Sequence, residues 1–310
     1  MSPTGQGNCR RTTGKETYSE FENDGYFYSG FSAYDPMQGS KNPYAVAVAS
    51  KNTKWSRKEC AKPRIFVQSA LFSAQRLFSD AGIINKEIAS SKNFTVKLRG
   101  HYLDQCCLDI WSELFYRCQN DFSEKYEFNV KDLLKTLNKG SGGKSNDWLI
   151  NRIKLLSCSY INIIYTKPLK GAHYSGPLLT ARYFEMSESI EVVFDERIIE
   201  LFDETGFSVC DSKVRHGLKK NLMAKFIYEY VLSRSPKEKP QMISLTTLRS
   251  YAWPLKRKDQ AKESFKRAVN SAIKTLNEIE DITFTLKLIK STTSKDFNLV
   301  FSKKAQAIIA

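Results

Sequence analysis

The chain has 310 residues, 41% of them hydrophobic, which favours two domains of ordinary size over a single small module. Its 48 Lys and Arg residues against 33 Asp and Glu residues give a net charge of +15, which favours a polyanionic partner: nucleic acid, an acidic membrane surface or an acidic protein. Residues 212–310 hold 21 basic and 8 acidic side chains, whereas residues 61–211 hold 19 of each. This concentration predicts a polyanion-binding domain in the last third of the chain.

The seven cysteines form an odd set without any CxxC spacing, and only three histidines accompany them. Neither a zinc site nor a disulfide framework is expected from such spacing. We expect reduced thiols, with Cys106, Cys118 and Cys158 packed as small hydrophobic side chains. Because the N-terminus lacks the apolar core of a signal peptide and no apolar run approaches bilayer length, we expect a soluble cytoplasmic protein without a membrane partner.

Residues 1–60 are rich in Ser, Gly, Asn, Lys and Thr, with scattered Tyr and Phe and no sustained period. This composition predicts a disordered, flexible N-terminal arm. Its aromatic side chains could stack on bases or dock on a partner; the alternative is a tail with no dedicated role.

Residues 61–205 are predicted to form a first domain. Within it, residues 94–98 alternate like a strand, and residues 103–118 place apolar side chains at three- and four-residue steps, as an amphipathic helix does. The following segments predict a short strand, a short helix at 131–138, a Gly-rich turn, a helix from Ser145 to about Cys158, a strand, and a hairpin within 175–195. This order is typical of a winged helix-turn-helix domain.

Residues 206–310 repeat that order with different residues. Their segments predict one helix at 212–235, a strand and short helix at 242–253, a helix from Lys258, and a hairpin of 282–290 and 296–304. The joint is residues 194–206, where Gly206 can end a short helix. We therefore predict an α+β fold of two tandem winged helix-turn-helix domains behind the arm.

The helix from Lys258 is the predicted groove-reading helix of the second domain. At 100° per residue, one arc is apolar and the opposite arc is polar. In a winged helix the polar face meets base edges, and Arg and Gln can pair bidentately with guanine and adenine, so Arg267 and Gln260 lead as base readers. The alternative is a solvated polar face. The apolar arc holds Ala261, Phe265, Ala268, Val269, Ala272, Ile273 and Leu276; the polar arc holds Gln260, Glu263, Ser264, Arg267, Asn270 and Lys274, with Lys262 and Lys266 at its border.

Phosphate contacts are expected from the start of this helix and from the wing. The alternative for each lysine is simple solubility. The predicted phosphate-binding residues are Lys256, Arg257 and Lys258 before the helix, and Lys287, Lys290 and Lys295 on the hairpin.

The equivalent helix of the first domain is less charged. Ser145 is a candidate N-cap or phosphate donor, and Arg152 falls near the apolar side, where it could support packing. The "GSGGKS" turn lacks the spacing of a phosphate-binding GxxxxGK[ST] loop. The predicted DNA-binding residues of this domain are Lys144, Ser145, Asn146, Asp147, Asn151 and Lys154.

No catalytic constellation is evident. His101, His173 and His216 are isolated, and the sequence contains neither GxSxG nor HExxH. We expect neither an enzyme nor a cofactor.

Four segments, "RIFVQSALFSAQ", "GHYLDQCCLDIWSELFYRC", "INRIKLLSCSYINI" and "VVFDERIIELFDE", precede the basic winged helix in this order. Together they resemble the TrfA-type plasmid replication initiators over about residues 62–280. The resemblance implies a bacterial cytoplasmic initiator that binds repeated sites (iterons) in double-stranded origin DNA and opens AT-rich DNA, with single-stranded origin DNA as a further partner. It also implies recruitment of the host replicative helicase and polymerase components, and a homodimer as an inactive or regulatory state.

Within this resemblance, "QSALF" looks like a peptide that inserts Leu and Phe into the polymerase sliding clamp, through Gln68, Leu71 and Phe72. The alternative is that Leu71 and Phe72 belong to the core of the first domain or to a dimer surface.

Two other functions fit the same sequence. One is a winged-helix transcriptional repressor without a role in replication, and the other is a protein-interaction scaffold with a basic surface.

Overall fold

The structure, a computed structural model, describes most of the chain after the arm. Residues 1–57 lie outside the described residues, and the arm prediction with them. Strand β1 starts at Glu59, two residues inside the segment assigned to the arm. The described residues are 58–75, 82–119, 121–122, 124–165, 173–199, 201–202, 206–254, 262–293 and 296–304.

The helices and strands of the first half are those of its described residues. They are strand β1 (Glu59–Pro63), helix α1 (Arg64–Val67), strands β2 (Phe72–Ser73), β3 (Ile83–Ile88), β4 (Phe94–Gly100) and β5 (Leu103–Asp104), helix α2 (Gln105–Cys118), strand β6 (Tyr126–Asn129), helices α3 (Val130–Thr136) and α4 (Gly143–Ser157), and strands β7 (Tyr160–Tyr165), β8 (His173–Pro177), β9 (Thr180–Phe184) and β10 (Ser189–Val193), followed by a 3₁₀ turn, Glu196–Ile199.

The second half begins at strand β11 (Phe207–Asp211). It continues with helices α5 (Ser212–Gly217) and α6 (Leu222–Ser233), strand β12 (Gln241–Ser244), helices α7 (Leu245–Ala252) and α8 (Lys262–Asn277), and strands β13 (Phe284–Lys290) and β14 (Phe297–Lys303).

Both halves contain a winged helix with the same strand order. In the first, α2, β6, α3 and α4 precede the hairpin β9–β10, and the antiparallel sheet runs β6-β10-β9. In the second, α6, β12, α7 and α8 precede the hairpin β13–β14, and the sheet runs β12-β14-β13. The predicted α+β fold with two tandem winged helices is therefore confirmed.

Each winged helix encloses its own apolar core. Trp111 of α2 is fully buried in the first, where it stacks on Phe115 at 4.8 Å and donates a hydrogen bond from Nε1 to the Leu178 carbonyl at 3.2 Å. In the second core, Phe226 of α6 and Phe284 of β13 are fully buried. These aromatic residues carry much of the buried apolar area that stabilises each module.

A four-stranded sheet, β3-β4-β7-β8, is an addition that the sequence did not predict. Strand β4 was expected from Phe94, Val96 and Leu98, and its pairing with β7 is regular. Strand β3 was missed because its alternation is broken: the register shifts between Ile83 and Lys86, around a positive φ of 44° at Asn85.

The single helix predicted at 212–235 is wrong, because the segment forms two helices, α5 and α6. Lys219 between them adopts a positive φ of 46°. The Asn221 side chain accepts a hydrogen bond from the Ala224 amide at 3.0 Å, so Asn221 caps a new helix instead of continuing the old one. The break leaves an exposed turn at Lys219 and Lys220.

The two halves meet through a strand pair and a buried charge cluster. β1 pairs antiparallel with β11, and Arg64 donates its amide hydrogen to the Gly206 carbonyl at 3.0 Å. Beneath the strands lies the charge cluster, defined by Lys62, Asp109, Arg215, Lys225 and Glu229. Its ion pairs are Lys62–Glu229 at 2.5 Å, Arg215–Glu229 at 2.9 Å, Arg215–Asp109 at 2.6 Å and Lys225–Asp109 at 2.6 Å.

Both carboxylates of the charge cluster stay ionised. Burial acts to raise the pKa of Glu229, but Lys62 and Arg215 outweigh it and leave the pKa lowered. Burial also acts to raise the pKa of Asp109. The positive charges of Arg215 and Lys225 outweigh burial, so the pKa of Asp109 is lowered as well. Removal of one cation would leave a charge without full compensation in a site closed to water.

Within the described residues, none of the helices combines the length and apolar character that a bilayer crossing requires.

We expect Lys62→Met to lower the free energy of unfolding by about 3–5 kcal/mol, because it removes one partner of a fully buried ion pair. Urea denaturation followed by circular dichroism would measure the change. Lys131→Met is the matched control: it breaks the Lys131–Glu188 pair, whose side chains are 58% and 41% exposed, and should leave the midpoint unchanged. Equal midpoints for wild type and Lys62→Met would contradict the structural role of the cluster.

Candidate nucleic-acid interface

Helix α8 buries the stripe that its sequence predicted. Its fully or nearly fully buried side chains are Phe265, Val269, Ala272, Ile273 and Leu276, while Ala268 is half-buried. The Phe265 ring packs edge-on against Trp253 at 5.1 Å between ring centroids. The apolar-arc prediction is confirmed for these residues; Ala261 lies outside the described part of the chain.

The opposite face of α8 is polar and open to solvent. Glu263, Arg267, Asn270 and Lys274 are exposed, and Ser264 is half-buried. Arg267 donates a long hydrogen bond from Nη2 to Ser264 Oγ at 3.5 Å. The guanidinium of Arg267 is therefore held at the surface with most of its donors available to a ligand.

Several predicted contact residues fall in stretches that the structure does not describe. Gln260, Lys256, Arg257 and Lys258 precede the first described residue of α8, and Lys295 lies in the hairpin tip. Their DNA-binding roles stay predictions.

Lys262 and Lys266 tie α8 to the wing. Lys262 pairs with Asp296 at 3.2 Å, and the Lys266 ammonium lies 3.8 Å from the centroid of the Phe297 ring. Asp296 also accepts hydrogen bonds from the amide and the hydroxyl of Thr246, at 3.1 Å and 2.6 Å. Although burial acts to raise it, these donors, the Phe297 amide and Lys262 lower the pKa of Asp296 to about 2. The two lysines thus orient the wing in addition to any phosphate contact.

The wing presents further cations. Lys287 and Lys290 are exposed on β13, where the alternating Leu286 is buried. Ile289 is exposed beside them at 48%. A cationic hairpin next to a groove-reading helix suits backbone or minor-groove contact.

Helix α4 begins two residues earlier than predicted, at Gly143. Gly142 occupies the cap position and has no side chain to bond, so the prediction that Ser145 is the N-cap is wrong. Ser145 lies in the first turn, where its amide donates to the Gly142 carbonyl at 2.8 Å. Of the predicted contact residues, Lys144, Asp147 and Asn151 are exposed, whereas Ser145, Asn146 and Lys154 are half-buried.

Arg152 has the packing role that was predicted from its position near the apolar side of α4. It pairs with the buried Asp104 at 2.7 Å and lies 3.7 Å from the sulfur of Cys107. Asp104 in turn caps α2 by accepting from the amides of Cys106 and Cys107.

The sliding-clamp interpretation of "QSALF" does not fit this fold. Leu71 and Phe72 are fully buried, and Phe72 packs against Phe66 with ring centroids 5.2 Å apart. Gln68 donates from Nε2 to the carbonyl and the hydroxyl of Ser233, at 3.2 Å and 3.1 Å. A clamp-binding peptide must expose its Leu and Phe, so the structure favours the alternative in which these residues belong to the core.

Sequence analysis missed a basic cleft between the two halves. It is a cavity of about 860 Å³, lined by Trp148 and Arg152 on α4 and by the start of α6. Four exposed lysines, here called the cleft lysines, border it: Lys139, Lys213, Lys219 and Lys220.

The cleft lies beside both α4 and α8. Trp148 is adjacent to the exposed arc of α4, and the Lys139 ammonium is 4.8 Å from the centroid of its indole. Asn221, at the end of the lysine turn, donates from Nδ2 to Thr275 Oγ1 of α8 at 3.4 Å. The sequence signal for this cleft is the "LKKN" tetrapeptide, residues 218–221. It could be recognised as an exposed turn only if the break between α5 and α6 had been predicted.

Comparison of the sequence with protein-family profiles gives no match, and comparison with curated proteins gives none either. Among solved structures, domains 2 and 3 of RctB align with a TM-score of 0.50 at 11% identity, over 79% of this chain and 99% of that structure. A second structure of RctB domains 2-3 aligns with a TM-score of 0.43 at 13% identity, over 76% of this chain and 95% of that one. The first likeness shows a shared fold and does not assign the chain to the TrfA-type family.

We expect the double substitution Lys219→Ala/Lys220→Ala to weaken binding to every duplex sequence. Each lost phosphate contact should reduce the slope of log affinity against log salt by about 0.9. Fluorescence anisotropy with labelled duplexes at several KCl concentrations measures both quantities. The control, Lys237→Ala/Lys239→Ala, removes the same charge from exposed positions beyond the other end of α6. Equal losses for the two variants would show that only net charge matters.

Proposed function

We propose that this protein is a plasmid replication initiator that binds repeated sites at an origin. The observation that carries the proposal is the outward polar face of α8, with Arg267 exposed opposite the buried Phe265 stripe, in a winged helix that is repeated in tandem. The sequence resemblance to TrfA-type initiators supports it. The fold shared with two consecutive RctB domains supports the tandem architecture alone.

Two modules joined in one chain suit a long duplex site. Groove-reading helices contact successive major grooves when they are spaced by one turn of DNA, about 34 Å. The α4 face contributes fewer charges than the α8 face, so α8 supplies most of the base readout and α4 extends the site. The cleft lysines and the wing lysines Lys287 and Lys290 add phosphate contacts, which makes the affinity strongly salt-dependent.

Strand opening would follow from loading several copies. Bending of AT-rich DNA is easiest at flexible steps, and adjacent copies on repeated sites add their bending energies. The opened single strand, the host replicative helicase and a regulatory homodimer that limits copy number are partners that an initiator in the bacterial cytoplasm requires. We propose no catalytic step and no cofactor.

A transcriptional repressor is the second candidate, because the same exposed α8 face would read an operator. The two functions differ in their DNA: an initiator predicts direct repeats beside an AT-rich tract near the coding gene, and a repressor predicts neither. The scaffold hypothesis predicts that substitutions on α8 leave DNA affinity unchanged.

We expect Arg267→Ala to relax specificity at one base pair and to cost about 1–3 kcal/mol on a preferred site, with little loss on random duplex. The preferred site is first selected from a random duplex library with the wild-type protein. Gel-shift titrations of both DNAs then give the two affinities. Arg234→Ala, an exposed arginine at the end of α6, is the control and should leave both affinities nearly unchanged. If Arg267→Ala lost the same affinity for selected and for random DNA, its role as a base reader would be contradicted.

A further inference from the structure

The strand pair that joins the two halves brings two thiols together. Cys60 of β1 and Cys210 of β11 are directly opposite partners in the antiparallel register. Both are free thiols. Opposite residues of an antiparallel pair have Cβ atoms about 4.5–5.5 Å apart, and a disulfide needs about 3.5–4.5 Å, so a small closure of the strands suffices.

The charge cluster activates this pair. The neighbouring Cys210 side chain lowers the pKa of Cys60 to about 6, against burial and the negative charge of Glu229, and the positive charge of Lys62 adds to the lowering. The Lys62 ammonium lies 3.3 Å from the sulfur of Cys210. The Cys210 thiol donates a hydrogen bond to Glu229 Oε1 at 3.2 Å, and its pKa is raised by the neighbouring Cys60 and by burial. The lowered pKa favours the thiolate of Cys60, and the thiolate is the reactive form of cysteine.

Charge balance gives an independent reason for a thiolate here. Among the described side chains of the charge cluster, the three cations Lys62, Arg215 and Lys225 face two carboxylates, Asp109 and Glu229. One negative charge on the Cys60–Cys210 pair neutralises the excess cation. Buried charges that remain uncompensated are costly, so the cluster favours the ionised pair.

A small reagent can reach Cys60. Cys60 is half-buried, whereas Cys210 is 2% exposed. Beside Cys60 lies a cavity of about 30 Å³, whose lining includes Ser112, Tyr116 and Arg215. This space holds one molecule of about the size of water, and its polar lining suits a hydrogen-bonding guest.

The other described cysteines lack this environment. Burial raises the pKa of Cys106, Cys107, Cys118 and Cys158, which keeps each as a thiol. They serve as internal controls within the same protein.

We propose that Cys60 and Cys210 form a peroxide-reactive thiol pair that closes into a disulfide across β1 and β11. The Cys60 thiolate attacks one oxygen of hydrogen peroxide, the O–O bond breaks, and the departing hydroxide takes a proton to become water. Cys60 is then a sulfenic acid. The Cys210 sulfur, on losing its proton, attacks the Cys60 sulfur, the S–O bond breaks, and the departing hydroxide leaves as a second water. Two thiols are oxidised and one peroxide is reduced.

The test exposes the full-length protein to stoichiometric hydrogen peroxide at pH 7, then blocks free thiols with N-ethylmaleimide and maps peptides by mass spectrometry. We expect a linked Cys60–Cys210 peptide in wild type and in Cys158→Ser, and none in Cys60→Ser. In Cys210→Ser, dimedone should trap a sulfenic acid at Cys60. Before oxidation, iodoacetamide should modify Cys60 about tenfold faster than Cys158.

Two results would overturn the proposal: recovery of Cys60 and Cys210 as maleimide adducts after peroxide treatment, or oxidation of Cys158 at the same rate as Cys60. The Ser variants are checked by circular dichroism, and the wild-type measurements decide the question even when a variant does not fold. This proposal does not depend on DNA binding, so its failure would leave the initiator proposal intact.

Discussion

The charge cluster at the junction is the constraint on which the rest of the structure depends. It draws Lys62 from β1, Asp109 from α2 of the first winged helix, and Arg215, Lys225 and Glu229 from the two helices that open the second half. Ion pairs that are closed to water demand close geometry, because a displaced partner leaves a charge that nothing solvates. The cluster therefore fixes position more than it adds stability. Arg215 reaches Asp109 and Glu229 from the short helix α5, which ends at Gly217.

Fixed placement of the two modules would matter for the DNA reading proposed for this protein. A flexible link would let each winged helix bind independently, and the second binding event would gain only the effective concentration set by the linker. Under the proposed function, a rigid junction would instead present α4 and α8 in one geometry, so a site with the wrong spacing would lose one set of contacts. The cleft lysines lie at this junction, where a duplex that engages both modules would pass. Their position would make the junction part of the proposed binding surface as well as its support.

The sequence predicted the second winged helix well and the junction poorly, for identifiable reasons. The stripe of α8 repeats over sixteen residues, so periodicity alone located Phe265 inside and Arg267 outside. Lys62 and Glu229 are charged, and composition places charged residues at the surface; only three-dimensional pairing reveals why they are buried. The turn at Lys219 depends on competition between helix continuation and the cap at Asn221, which local spacing does not decide. "QSALF" has the composition of a docking peptide and of a core segment alike, and long-range packing against Ser233 separates the two.

The thiol pair and the charge cluster constrain each other. A disulfide carries no charge, so oxidation removes the negative charge that balances Lys62, Arg215 and Lys225, while it also cross-links β1 to β11. The cross-link would stabilise the junction by restraining the two strands. The loss of negative charge would destabilise it, because one buried cation would lack a partner. Because β1 carries both Cys60 and Lys62, a change in its pairing acts on the thiol pair and on the charge cluster together. The redox state of two residues thus bears on the geometry that holds the two winged helices together.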